Sequence, residues 1–201
     1  MTTATPEQVD ARRMTTGKVR LSFCHLFKPR ERKGQEPKYS TMIIIPKTDT
    51  KTINRLKEIE ARVLEEDAAS VLKVTTGTPV LGQRGIAASI IKDADEDGSA
   101  IDYPEREGCL YLTVNCNTDF PPQVVDRQKK KIEDQSQVYS GVYVCVFLRG
   151  FAYKGDEKKG VSFGLGNVQI YTGEGEPLGG GRSADADFDV IDDEDSSDDL
   201  L

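Results

Sequence analysis

The sequence predicts a mainly β protein: a small five-stranded barrel with one or two helices and a disordered, acidic C-terminal tail. Three observations predict it. Val138–Tyr153 (VYSGVYVCVFLRGFAY) alternates with period two over 16 residues, longer than the usual strand of about 3–10. A strand that long coils, and Gly141 and Gly150 are the places for a bend or bulge. Several shorter strand signals flank it, while one segment alone carries a helical period. Finally, Ser183–Leu201 holds nine acids and no Lys or Arg, too charged and too poor in apolar residues to fold alone.

In chain order, residues 1–16 are polar and mixed, an arm expected to be loosely held. The folded domain is expected over 17–171, a Gly-rich linker over 172–182 and the acidic tail over 183–201. Lys18–Phe27 reads as the first strand, with Val19, Leu21, Phe23, His25 and Phe27 on one face and Lys18, Arg20, Ser22 and Cys24 on the other. Lys28–Lys38 (KPRERKGQEPK), with two prolines, a glycine and five cations, reads as a flexible basic loop. Tyr39–Pro46 is the second strand, antiparallel to the first. Asp49 or Thr50 caps a helix, with Ile53, Leu56, Ile59 or Glu60, and Val63 on its apolar stripe. The helix continues in broken form through Val71–Val74 and packs across an open barrel end. Ile86–Ile91 fits a short strand or a buried segment.

Asp93–Gly98 (DADEDG) has the look of part of a calcium loop. The glutamate that should close such a loop is out of place, because Glu105 falls one residue late; a solvated turn is expected. Gly108–Cys116 is the third strand. A loop follows in which Pro121–Pro122 stiffens the chain and presents Phe120, ahead of the cations Arg127, Lys129, Lys130 and Lys131. In the central strand, Val138, Val142, Val144, Val146, Leu148 and Ala152 share an aliphatic face. Tyr139, Tyr143, Cys145, Phe147, Arg149, Phe151 and Tyr153 share the other. That second face fits either a packed layer or a surface on which bases stack. Lys154–Gly160 is a hairpin turn and Gly160–Tyr171 the last strand, with a bulge at Gly164 and Gly166.

Charge divides the chain. Removing the nine acids of the tail from the total of 34 leaves 25 acids against 27 cations, so the body is net +2 while the whole is −7. Such asymmetry points to nucleic-acid work. There is no apolar run of about 18 residues and no apolar segment after Met1, so neither a membrane span nor a secretory signal is expected. Cys24, Cys109, Cys116 and Cys145 form no C-x-x-C pair and His25 is the one histidine. No metal site or cofactor is expected, and the thiols read as free and buried in a cytosolic protein. Asp93, Asp95 and Asp97 lack the lysine or histidine partners a metal-dependent nuclease needs, so an enzyme is not expected. The rival reading is a protein-interaction module or DNA mimic whose acidic tail is the main surface.

KYSTMIIIPK (Lys38–Lys47), PPQVVD (Pro121–Asp126), YSGVYVCVFLRGFAY (Tyr139–Tyr153), GVSFGLGNVQI (Gly160–Ile170) and EPLGGGRSADADFDVIDDED (Glu176–Asp195) together resemble the tailed-phage single-stranded DNA-binding proteins. The resemblance spans essentially the whole chain. It implies an OB-fold-like barrel and sequence-tolerant binding of single strands in DNA replication and recombination. It also implies replication enzymes (a polymerase, helicase/primase or nuclease) docking on the acidic tail, and the host cytoplasm as location for a phage-encoded protein. The tail ends in Leu200 and Leu201 rather than an aromatic-rich tip.

The residues give this a physical form. Cations neutralise phosphates and release counterions: the candidates are Arg20, Lys28, Arg30, Arg32, Lys33, Arg127, Lys129, Lys130, Lys131 and Arg149. Aromatic rings stack on bases: the candidates are Phe120, Tyr143, Phe151 and Tyr153. In the tail, Phe188, Leu200 and Leu201 are apolar anchors threaded through Asp189, Asp192, Asp193, Glu194 and Asp195, the make-up of a docking peptide. The same acids can fold back on the basic groove as a tethered competitor. Exposed sheet edges and a swappable tail make a homodimer the expected assembly.

Overall fold

Two long strands joined by a tight turn replace the expected short strand and flexible loop. In the computed structural model, which describes residues 11–75, 77–83, 85–155 and 158–178, β1 is Arg13–Thr15, β2 is Val19–Arg32 and β3 is Gln35–Pro46. Lys28–Lys38 is therefore a two-stranded basic arm. Pro29 is tolerated because the β2–β3 register shifts between His25 and Arg30, where Pro29 owes the ladder no N–H. A second slip lies between Ser22 and His25, where Phe23 has φ of 52°. It reverses the predicted phase. Val19 and Leu21 are buried, Phe23 is exposed and Leu26 takes the core position. His25 and Phe27 are only half-buried.

Helix α1, Thr50–Glu66, starts where the Asp49 side chain accepts the Thr52 N–H at 3.1 Å. Ile53, Leu56, Ile59 and Val63 form its buried stripe, and a run of turns through residue 72 buries Leu72. Ile86 makes a single bridge to Lys159 rather than a strand. β4 is Lys92–Asp93, α2 is Ser99–Asp102, and a 3-10 turn covers Pro104–Arg106. β5 is Cys109–Asn117, β6 Val124–Val125, β7 Tyr143–Lys154 and β8 Lys159–Ile170.

The central strand is shorter than its alternating pattern. Gly141 has φ of 115°, a turn conformation that other residues rarely adopt, so β7 begins two residues later. Gly150 is not a bend; it lies under α1, where a Cβ would sit 2.4 Å from Ile59 Cγ2. The predicted bulge in the last strand is present. Val146 pairs Val168 and Leu148 pairs Leu165, leaving Gly166 and Asn167 opposite Phe147 alone.

The strands close a ring in the order β7–β2–β3–β5–β8 and back to β7. Every neighbouring pair in it is antiparallel except β5–β8, which is parallel. Ile43, Leu112, Val144, Val146, Leu148, Phe163 and Ile170 fill the interior. α1 covers one end through Ile59 and Val63. Val124, Ile132 and Val138 from the loop before β7 join the same core.

Residues 11–16, expected in the loose arm, are instead tied down. β1 pairs β7 from Arg13↔Arg149 to Thr15↔Phe147. Arg12 binds Glu66 and Asp67, both at 2.7 Å. All four cysteines are free, and each is half-buried rather than buried. No helix among the described residues is long and apolar enough to cross a membrane.

Candidate nucleic-acid interface

The ring decides between the two readings of the central strand. Val144, Val146 and Leu148 are fully buried, while Phe147 and Phe151 stand 37% and 39% exposed. The aliphatic face lines the interior and the aromatic face points outward. Tyr143, Phe147, Arg149, Phe151 and Tyr153 thus run along the outside of β7. Phe147 was not among the residues expected to stack. Its ring packs against Gly166, where a Cβ would come within 2.5 Å of Phe147 Cδ1, so the glycine is what lets an aromatic surface form there.

Gly166 also lines an open groove of about 770 Å³. Leu26, Phe27, Tyr39, Ile132 and Leu165 wall it, and Phe120 and Lys131 border it. Phe120 is 77% exposed at the head of the diproline. The cationic loop behind it is a tight turn rather than a floppy one. The Asp126 carboxylate accepts the N–H groups of Gln128 and Lys130, both at 2.8 Å. Val125 and Lys131 bridge across it. The turn holds Arg127, Lys129, Lys130 and Lys131 in solvent. Phe120 and this loop are brought together along β8, because β6 pairs β8 at Val124↔Val168.

A second cationic group gathers at the start of β7. Lys18 and Arg127 both pair with Glu174. The Lys18 ammonium sits 4.9 Å from the ring centroids of both Tyr143 and Tyr171, and the Arg127 guanidinium 4.9 Å from Tyr171. Arg20 donates to the carbonyls of Gly141 at 3.0 Å and Glu176 at 2.8 Å. Arg20 therefore commits two of its donors to backbone. The first part of the expected linker is docked here: Leu178 N–H donates to Ser140 O at 2.7 Å, and the Tyr139 hydroxyl to Gly175 O at 2.6 Å. The sequence held the signal, an acid and two tyrosines near the cations, but not the fold-back that joins them.

The other expected cations stand apart. Lys28, Arg30 and Lys33 are exposed on the β2–β3 arm; the side chain of Arg32 lies outside the described residues. Arg149 is exposed beside β1. The tail residues Phe188, Asp189, Asp192, Asp193, Glu194, Asp195, Leu200 and Leu201 lie outside the described residues as well.

The acidic turn is occupied from within. Lys47 pairs with Asp93 and Asp95, both at 2.8 Å, and holds their carboxyls below the ordinary range. The Tyr111 hydroxyl donates to Asp97 at 2.6 Å, holding that carboxyl down to about 2. Beside it lies an aromatic cluster that sequence reasoning missed. Phe23, Tyr103 and Tyr111 surround the buried Arg106. The register slip at Phe23 builds it, and no periodicity announces such a slip.

Numbered around the ring, the five strands run 1–2–3–5–4 and return to 1, with a helix between the second and third. That is an OB-fold-like arrangement, here carrying exposed rings interleaved with cations. The family model for the ssDNA-binding protein of Enterobacter phage Enc34 matches residues 12–201, and the chain belongs to that family. The single-stranded DNA-binding protein from bacteriophage Enc34 in complex with ssDNA superposes with a TM-score of 0.68 at 24% identity, covering 85% of this chain and 91% of that one. The same phage protein on its own gives 0.65 at 23% identity over 89% and 90%. The gp2.5 single-stranded DNA binding protein of bacteriophage T7 gives 0.59 at 17% identity over 94% and 98%. No curated protein matches the sequence.

Proposed function

We propose that this protein binds single-stranded DNA with little regard to sequence, and protects and organises it during phage DNA replication and recombination in the host cytoplasm. The observation that carries this reading is the outward aromatic stripe of β7 running into the Phe120 groove, with Lys129, Lys130 and Lys131 at its edge. Every base has a π-face, so Phe120, Tyr143, Phe147, Phe151 and Tyr153 stack without selecting a base, at roughly 1–3 kcal/mol each. Lys28, Arg30, Arg32, Lys33, Arg127 and Arg149 join the three lysines on phosphates. Each neutralised phosphate releases counterions, giving a salt slope of about −0.7 per contact on a single strand. Arg20 serves the reading indirectly, by fixing the segment that carries Glu174. The body requires no cofactor for this work, which is binding rather than catalysis.

The acidic segment after the linker has two roles in this reading. Its apolar anchors recruit replication enzymes, and its acids compete with DNA for the basic surface. Two copies of the chain pair through exposed strand edges. Fluorescence anisotropy with a labelled oligo-dT, set against a duplex of equal length over a salt series, tests the core of the reading. Tight, salt-sensitive binding that prefers the single strand is the expected result. Binding that is weak and indifferent to strandedness would leave the acidic tail as the working surface. Removing Ser183–Leu201 should strengthen DNA binding, and unchanged affinity would sink the competition.

A further inference from the structure

The chain does not leave the body at the end of β8. It folds back across the starts of β2 and β7 as a strap, residues 171–178. The Leu178 N–H donates to Ser140 O at 2.7 Å, the Tyr143 N–H to Glu174 O at 3.3 Å, and the Tyr139 hydroxyl to Gly175 O at 2.6 Å. The Arg20 guanidinium donates to Glu176 O at 2.8 Å. Two glycines permit so close an approach. A Cβ on Gly175 would stand 2.2 Å from Gly141 O, and one on Gly141 would stand 1.9 Å from Glu176 O. No residue from 172 to 178 is buried. The strap is therefore held without a core anchor, and segments of that kind are the ones that open locally.

One side chain latches it. The Glu174 carboxylate pairs with both Lys18 and Arg127, and each of these cations lies 4.9 Å from the Tyr171 ring centroid. No other acid pairs with either cation among the described residues. Two cations held on a ring face, with one carboxylate between them, make a cradle for a single anion. A phosphodiester carries the same charge, and its two free oxygens match the fork of a guanidinium. The Glu174, Lys18 and Arg127 side chains are 37%, 44% and 48% exposed, so water screens the pairs and leaves them open to exchange. Arg127 lies two residues before Lys129 in the cationic turn, so a strand held by that turn brings a phosphate to the latch. We propose that a backbone phosphate of the bound single strand displaces Glu174 from Lys18 and Arg127 and lifts the strap. The proposal rests on the single-strand reading and adds a regulation to it. Lifting the strap lengthens the tether on which the acidic segment competes with DNA, and effective concentration falls as a tether lengthens. The strand thus weakens its own competitor.

Hydrogen–deuterium exchange of the full chain tests this, read at the Leu178 amide with and without saturating oligo-dT, while anisotropy follows the bound strand. Oligo-dT is expected to speed Leu178 exchange by up to roughly 30-fold, the loss of two exposed ion pairs, while the amides of α1 keep their rates. Glu174→Gln should show the fast rate without DNA, and oligo-dT should add nothing further. Inorganic phosphate at the same ionic strength should leave the strap closed, because no strand concentrates it at the cradle. Opening by inorganic phosphate alone would make the cradle a free-anion site and overturn opening by the strand. Bound oligo-dT with Leu178 exchange unchanged or slowed overturns the latch and leaves single-strand binding intact. So does a DNA-free E174Q protein that exchanges like the parent. A parent that does not bind oligo-dT overturns the latch together with the reading beneath it.

Discussion

Two regions of this surface are built from the same residue types and are in opposite states. At the Phe120 groove the ring is 77% exposed and Lys129 and Lys130 stand in solvent. At the start of β7, Lys18 and Arg127 are already held by Glu174, over Tyr143 and Tyr171, and Arg20 is spent on two carbonyls. The first region can meet a phosphate at no cost beyond its own ordering. The second must first release a carboxylate. Cation count alone therefore misjudges a binding surface; what the cation already touches decides how much of its charge is available.

The comparison makes an ordered set of predictions. Replacing Lys129, Lys130 and Lys131 together by Ala should cost most. Losing three phosphate contacts makes the salt slope on oligo-dT shallower by about 2 and weakens binding about a hundredfold near 0.1 M salt. A slope unchanged in that titration would place the strand elsewhere. Phe120→Ala should follow, weakening oligo-dT binding roughly 5- to 150-fold with the slope intact. Glu174→Gln should act in the opposite direction, since it frees Lys18 and Arg127. Exposed ion pairs are worth about 0–1 kcal/mol each, so a gain of a few-fold in affinity is expected by anisotropy. A loss of affinity would mean that Glu174 orders the region for binding instead of guarding it.

The smallest effect sharpens the comparison from outside it. Glu60 on α1 is buried, and the Ser89 hydroxyl donates to both of its oxygens at 2.8 Å. Burial pushes its carboxyl above the ordinary range, and the Ser89 hydrogen bond pulls it part of the way back. A carboxyl raised in the folded state costs stability above its folded pKa. That cost disappears below the unfolded value of about 4.3, where both states are protonated. Glu60→Gln should therefore raise the thermal midpoint at pH 8, leave it unchanged near pH 3, and leave DNA affinity alone at either. A fall in midpoint at pH 8 would show that the carboxylate itself is needed.

The sequence by itself determined a great deal. Alternation in the central strand sorted its side chains onto an aliphatic and an aromatic face, and the 3.6-residue stripe of Ile53, Leu56, Ile59 and Val63 placed the helix, because side-chain periodicity is local physics. Of the two glycines expected to mark a bulge, Gly166 sits in it, since a residue without a Cβ tolerates one, while Gly164 pairs regularly with Arg149. The exposed Phe120 and the lysines behind it were legible for the same reason: diproline and charge act on their immediate neighbours. Tertiary structure alone decided the rest. Whether the aromatic face of β7 lay inside or outside depended on how the ring closed. The slip that turns Phe23 outward depended on its pairing with β3. The meeting of Glu174 with Lys18, 156 residues earlier in the chain, depended on a fold-back that no local pattern encodes. Periodicity reports what a residue prefers beside its neighbours; partnership across the chain is set by which surfaces the closed ring brings together.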